Sequence, residues 1–255
     1  MSLAIGTSFT CCPRSLEGGA GSRSIFAYIP ARGASKRVPR KNIRPLAGKP
    51  IIGHVIETLL QLDFLSAVHV STDDPEIAEV AERFGASCLA MRDPALSGDG
   101  PGFSDLMRED IPRYVEAHDG DREVLFALAT AALVPPTIYR EAHALYRREW
   151  PDILMACEHY PSPPQWALVR KDDGYLTPLF PEMVRVNSQD LPEAMTDAGL
   201  FYLFSQDVMA RYDSHKDVER LLPFLVPERY CVDVDRPEDW DLLEMKFALK
   251  TKGEA

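Results

Sequence analysis

The chain has 255 residues, 45% of them apolar and 26% charged, with a formal net charge of −11. That length and composition suit one large domain with an ordinary core. The acidic balance excludes sequence-independent nucleic-acid binding, which needs a basic footprint, and no apolar run reaches the roughly 18–20 residues of a membrane span.

Residues 1–23 are rich in Gly and Ser without periodicity and read as a flexible leader lacking the basic n-region of a signal peptide. Ile25 to Pro30 is a short apolar run ended by proline, the pattern of a buried strand. A polar loop follows. It opens a stretch in which Arg32, Lys36, Arg37, Arg40, Lys41, Arg44 and Lys49 are uninterrupted by any acid. Pro50 then starts a helix with Ile52, Val55, Ile56, Leu59 and Leu60 on one face. Ala67–Thr72 is a second strand, and Asp74-Pro75 caps a helix over Glu76–Phe84 that Gly85 ends. Residues 87–91 read as a third strand. A Gly/Pro loop at 97–102 leads into a helix to about His118; Glu123–Thr130 is a strand and 136–149 a helix. This alternation predicts a doubly wound α/β fold with a mostly parallel sheet, whose ligands bind beyond the carboxyl ends of the strands.

The second half is different in character. Ile153–Glu158, Trp166–Arg170 and Tyr175–Leu179 read as strands, residues 181–198 as irregular, Gly199–Phe204 and Leu225–Val234 as strands, and Pro237–Lys250 as the last helix. No linker follows residue 24, so residues 24–255 are expected to form one domain with an inserted arm within 150–198. The five cysteines (Cys11, Cys12, Cys88, Cys157 and Cys231) include no CxxC pair; the simplest setting is a reduced, cytoplasmic one. The histidines are scattered, and no HExxH or GxSxG signature is present.

Two segments carry chemistry. In the loop after the first strand, Ala31 and Gly33 allow close backbone approach, and Arg32, Lys36, Arg37, Arg40 and Lys41 supply charge suited to a triphosphate. The loop is neither a Walker A nor a GxGxxG sequence. Near the C-terminus, Asp233 and Asp235 stand two apart on an expected strand and so face the same way. Such a pair can hold Mg²⁺ together with phosphate oxygens; Asp235 with Glu238 equally fits a helix capping box.

Pro30-Ala31-Arg32-Gly33-Ala34-Ser35-Lys36-Arg37 through Lys41-Asn42 resembles the signature loop IPARGGSKR-x-P-x-KN of the CMP-acylneuraminate and CMP-KDO synthetases. Gly48-Lys49-Pro50, Val70-Ser71-Thr72-Asp73-Asp74, Arg92 and the run Asp233-Val234-Asp235-Arg236-Pro237-Glu238-Asp239-Trp240 follow in the family's order. The resemblance implies a Rossmann-like nucleotide-diphospho-sugar transferase fold. It implies CTP contacts at Ala31, Arg32, Gly33, Ser35, Lys36, Lys41, Asn42 and Arg92, and Mg²⁺ on Asp233 and Asp235. Arg32, Lys36, Lys41 and the two aspartates would then be catalytic.

Asp197-Ala198-Gly199 followed by Phe201-Tyr202, and Ala129-Thr130-Ala131, are similar to the pseudaminate branch, with Gln189 and Asp197 as acceptor-sugar contacts. Asn187, Met195, Ala132 and Leu128 depart from the family's acceptor motifs. The reading is therefore transfer of CMP from CTP to a nonulosonic acid, pseudaminic acid first. A sialate or legionaminate synthetase comes next, and a CTP-binding chain without turnover last. The arm resembles the family's dimerisation element, implying a homodimer with no nucleic-acid or membrane partner.

Overall fold

The computed structural model describes residues 25–35, 37–98, 100, 102–118, 123–209, 211–212 and 218–253. The leader at 1–23 and Lys36 lie outside them. In chain order the elements are β1 (Ile25–Pro30), β2 (Pro45–Leu46), β3 (Lys49–Pro50), α1 (Ile51–Leu59), β4 (Leu65–Ser71), α2 (Pro75–Arg83) and α3 (Phe103–Asp105). A π-turn (Leu106–Asp110) then runs into α4 (Ile111–Ala117), followed by β5 (Glu123–Ala127), α5 (Pro136–Glu149), β6 (Ile153–His159), β7 (Leu168–Arg170), β8 (Leu176–Pro178), β9 (Met195–Ser205), α6 (Gln206–Met209), β10 (Leu221–Leu225) and α7 (Pro237–Gly253).

The central sheet has the order β10-β6-β9-β5-β1-β4. β1 pairs in parallel with β4 and β5, and β10 with β6. β9 runs antiparallel to both β5 and β6 and joins the two parallel groups.

Strand alternation sorts the core into two layers. Ile25, Ala27 and Ile29 of β1 face one cluster with α1, α2, α5 and α7; Phe26 and Tyr28 face another with α4 and α6. Both faces of the sheet are thus covered by helices, as the near-continuous apolar strands require.

Most expected elements form where the sequence placed them. Asp74 caps α2, its Oδ1 accepting from the backbone N–H of Glu76 at 2.9 Å and Ile77 at 3.3 Å, and Gly85 ends that helix at φ +93°. Three expectations need correction. Residues 87–91 make only a single bridge, Ser87 to His69. The last strand lies earlier than expected, at Leu221–Leu225. It holds Pro223 because it is an edge strand, pairing only with β6, and Pro227 turns the chain into a 3₁₀ turn, Glu228–Tyr230, before Asp233. The strand expected over Gly199–Phe204 begins earlier, in the stretch 181–198 expected to be irregular, and pairs with β6 as far as His159 and Met195. What leaves the sheet is the segment between those residues, which carries the β7–β8 hairpin.

Candidate active site

The carboxyl ends of β1 and β4 lie side by side, Pro30 opposite Ser71. The loop leaving β1 is built against the turn leaving β4. Ala31 N–H donates to the Ser71 carbonyl at 2.9 Å, and Gly33 N–H donates to Asp73 Oδ1 at 2.9 Å. A Cβ on Gly33 would lie 2.5 Å from Asp74 Oδ2, so glycine is required by close packing on that carboxylate. Asn42 folds the loop back by donating to the Arg32 carbonyl at 2.9 Å. Arg40 takes the left-handed conformation, φ 56°, and pairs with Asp74 and with Glu76. Its charge holds the loop to α2.

Above this frame is a pocket of about 730 Å³, bordered on one side by Arg32, Ser35, Arg37, Lys41, Asn42, Arg92 and Asp235 and on the other by Phe103, Leu106, Phe126, Leu128 and Tyr202. Of the residues expected to meet a nucleotide, Arg32, Ser35, Lys41, Asn42 and Arg92 border it. Ala31 is fully buried beneath it, and Gly33 is turned toward Asp73 and Asp74. Arg92 is only 4% exposed. Its backbone N–H donates to the Thr72 carbonyl at 2.8 Å, its Nε donates to Ser97 Oγ at 3.2 Å, and its guanidinium stands 3.8 Å from Asp73.

The two C-terminal aspartates lie on an extended segment without ladder partners, so the strand alternation expected to face them the same way does not apply; Asp235 borders the pocket and Asp233 does not. Asp235 meets Arg37 at 2.9 Å and Lys41 at 4.0 Å, while Lys41 Nζ donates to the Val234 carbonyl at 2.6 Å. Burial lowers the Lys41 pKa, with the charges of Asp235 and Asp233 opposing. Asp233 packs against Gly199 of β9, where a Cβ would stand 3.1 Å from its carboxyl carbon. Burial first, and then the neighbouring Asp235 charge, raises the Asp233 carboxyl above its ordinary range.

The expected capping box of Asp235 with Glu238 is not the one formed. The backbone N–H groups of Asp235 and Arg236 donate instead to Asp239 Oδ2, at 2.9 and 2.7 Å. That leaves the side chain of Asp235 to the pocket. Among the described residues no group of three or more His, Cys, Asp or Glu side chains could hold a metal ion.

The acceptor-side residues lie apart from the pocket border. Asp197 accepts from Gly199 N–H at 2.9 Å and from the Tyr202 hydroxyl, and its charge acts on Asp233. Gln189 is exposed in a short turn of the arm, Ser188–Asp190. Phe201 is wholly buried, whereas Tyr202 reaches the pocket. Sequence reading missed Asp73, whose roles depend on a contact across the sheet, and the wall of Phe103, Leu106, Phe126, Leu128 and Tyr202, whose members come from three separate segments. The only signal for Asp73 was its place in the Val70–Asp74 run.

A cytidylyltransferase family model matches residues 26–105. The pseudaminic acid cytidylyltransferase of Campylobacter jejuni is 30% identical over 226 residues, spanning 87% of this chain and 95% of that protein. The CMP-N,N'-diacetyllegionaminic acid synthase of Legionella pneumophila is 28% identical, over 90% of this chain and 98% of that one. A solved CMP:2-keto-3-deoxy-manno-octonic acid synthetase complexed with CTP shares the fold, with a TM-score of 0.65 at 18% identity over 89% of this chain and 99% of that one.

Proposed function

The chain belongs to the cytidylyltransferase family, and from that premise we propose that it transfers CMP from CTP to the anomeric hydroxyl of a nonulosonic acid, pseudaminic acid foremost, releasing pyrophosphate. The observation that carries this reading is the pocket itself. A basic loop prefolded by Asp73, Asp74 and Glu76 borders the same opening as Asp235. In the reaction the sugar hydroxyl oxygen bonds to the α-phosphorus while the bond to the β-phosphate oxygen breaks. Arg32, Lys41 and, by the loop resemblance, Lys36 are suited to stabilise the phosphate charge, electrostatic help that is worth most when the donors are already in place.

The donor set fits Mg²⁺, which is held by one or two carboxylates plus substrate oxygens and water. Asp233 and Asp235 would hold it, and the bound ion would supply charge neutralisation at the phosphates. Burial first, and then the neighbouring Asp235 charge, holds the Asp233 carboxyl above its ordinary range, and a bound cation would oppose both.

The partner we propose is a second copy of this chain, seated on the β7–β8 hairpin. Leu168, Tyr175 and Leu176 there are 56%, 74% and 62% exposed, and with Trp166 and Val169 they make an apolar surface of the kind that marks an interface. Among the described residues no helix is long and apolar enough to cross a membrane. A cytoplasmic setting, where CTP is made and the thiols of Cys88, Cys157 and Cys231 stay free, completes the proposal.

The test is pyrophosphate release from CTP and Mg²⁺ with pseudaminic, legionaminic and N-acetylneuraminic acids and KDO in parallel. Turnover with pseudaminic acid alone supports the reading. Turnover with legionaminic or N-acetylneuraminic acid moves the acceptor, and no turnover with any sugar sinks the reading.

A further inference from the structure

Asp110 does not border the pocket, yet it is only 1% exposed. It closes the π-turn that follows α3, and π-turns of this kind occur often at functional sites. Two hydroxyls donate to its Oδ2: Tyr28 at 2.5 Å and Ser71 at 2.6 Å. These are the lengths of charge-assisted O–H···O⁻ bonds. Arg113 stands 3.9 Å from the other oxygen, with its own side chain largely in solvent. From the pocket side the nearby cation is Arg92. Burial and then the Asp110 charge raise the Tyr28 hydroxyl well above its ordinary pKa, and Arg92 opposes them; the same two charges act on Tyr114. A buried carboxylate is costly unless it is fully bonded, and this one is spent on groups that shape the pocket.

Ser71, whose hydroxyl binds Asp110, offers its carbonyl to Ala31 N–H at 2.9 Å. Its neighbour Thr72 offers a carbonyl to Arg92 N–H at 2.8 Å. Tyr28 belongs to the strand that launches the basic loop. The turn closed by Asp110 begins at Leu106, directly after the helix that carries Phe103, and both of those residues line the pocket.

We propose that Asp110 is a positioning residue for the nucleotide. Through Ser71 and Tyr28 it fixes the strand ends that present Ala31 and Arg92, and through its own turn it fixes the Phe103 and Leu106 wall. The proposal rests on the reading of CTP as the nucleotide. Asp110 itself touches no substrate; it acts through the groups it holds.

The test compares the full chain with Ser71→Ala, Asp110→Asn and the double variant, reading CTP affinity by calorimetry, melting temperature, and the KM values for CTP and sugar against kcat. Ser71→Ala and Asp110→Asn are each expected to weaken CTP binding about 3- to 10-fold, the scale of one lost hydrogen bond. The double variant is expected to weaken it no more than the stronger single change, because both break one network. KM for the sugar is expected to stay unchanged. A lowered melting temperature with CTP affinity unmoved in both single variants overturns the assignment and leaves Asp110 a purely structural residue. If Asp110→Asn does not fold, Ser71→Ala decides alone on the same criterion. A wild-type chain that binds no CTP overturns the nucleotide reading and this assignment with it, whereas wild-type binding with unmoved variants overturns the assignment only.

Discussion

The loop after β1 and the hairpin that leaves after β6 are both excursions from one sheet, and they are held in opposite ways. The loop is polar, and the chain's own groups pin it: Asp73 takes the N–H of Gly33, Asp74 and Glu76 take Arg40, and Asn42 closes it on the Arg32 carbonyl. The hairpin has regular pairing between β7 and β8 and a tight turn at Gly174, φ +88°, but its apolar side chains stand in solvent. A loop that must meet a triphosphate benefits from being folded beforehand, since donors already in place need no reorganisation when charge develops. A hairpin with exposed Leu and Tyr is stabilised by burial against something else. The first region is complete in one chain, and the second is where we propose that a second copy docks.

The strongest way to break this contrast is at the carboxylates facing the loop. Asp233→Asn is expected to lower the rate of pyrophosphate release by at least about 100-fold, the scale seen when one electrostatic stabiliser is removed, without changing the oligomeric state. Steady-state kinetics beside light scattering checks both. Next in size is the loop's packing. Gly33→Ala places a methyl 2.5 Å from Asp74 Oδ2, so the loop or the α2 cap must move. KM for CTP is expected to rise about tenfold, and loss of the cap to cost about 1 kcal/mol in a denaturation experiment. An unchanged KM would show that the loop is not prefolded.

The hairpin gives the opposite pattern. Leu176→Asp combined with Tyr175→Asp is expected to yield monomers in light scattering while CTP affinity stays within about twofold, since a surface change far from a site rarely reaches it. A wild-type chain that is already monomeric would remove the partner from the comparison.

The smallest effect at neutral pH comes from the sheet beneath both excursions. His69 is buried and shares a 2.5 Å contact between ring nitrogens with His118. Burial first, then His118, lowers its pKa from 6.5 to about 4. The unfolded chain therefore binds a proton between those values that the folded chain refuses. Stability from this group is complete above pH 6.5 and is lost as pH falls toward 4. His69→Gln should flatten the melting temperature across that window, and a slope equal to wild type would show that His69 does not set it.

The alternation of apolar runs and helical faces made the first half of the fold legible in the sequence, because each element there carries its own signals. Pro75 and Asp74 start α2, Gly85 ends it, and the unbroken basic stretch announces the loop after β1. The last strand was misplaced because Tyr230 to Val234 is apolar except at Asp233, as a strand can be, while the proline at 227 and the edge position of β10 decide where pairing stops. The start of β9 was set too late because Met195 to Ala198 carries little apolar signal of its own, and its pairing with Cys157 to His159 is visible only in the sheet.

What the sequence determined by itself was the chemistry on offer: a cationic loop at the end of the first strand, and two aspartates ahead of the last helix. Those signals are local, set by neighbours in the chain. The tertiary structure alone decided which charges are free to meet a ligand. Arg40 is committed to Asp74 and Glu76, Asp239 takes the helix start that Asp235 was expected to share, and Asp110 reaches across to Tyr28 and Ser71. The cap at Asp239 is local, three to four residues along the chain, whereas Arg40 and Asp110 each find partners more than 30 residues away, and for the buried Asp110 no water could serve in their place.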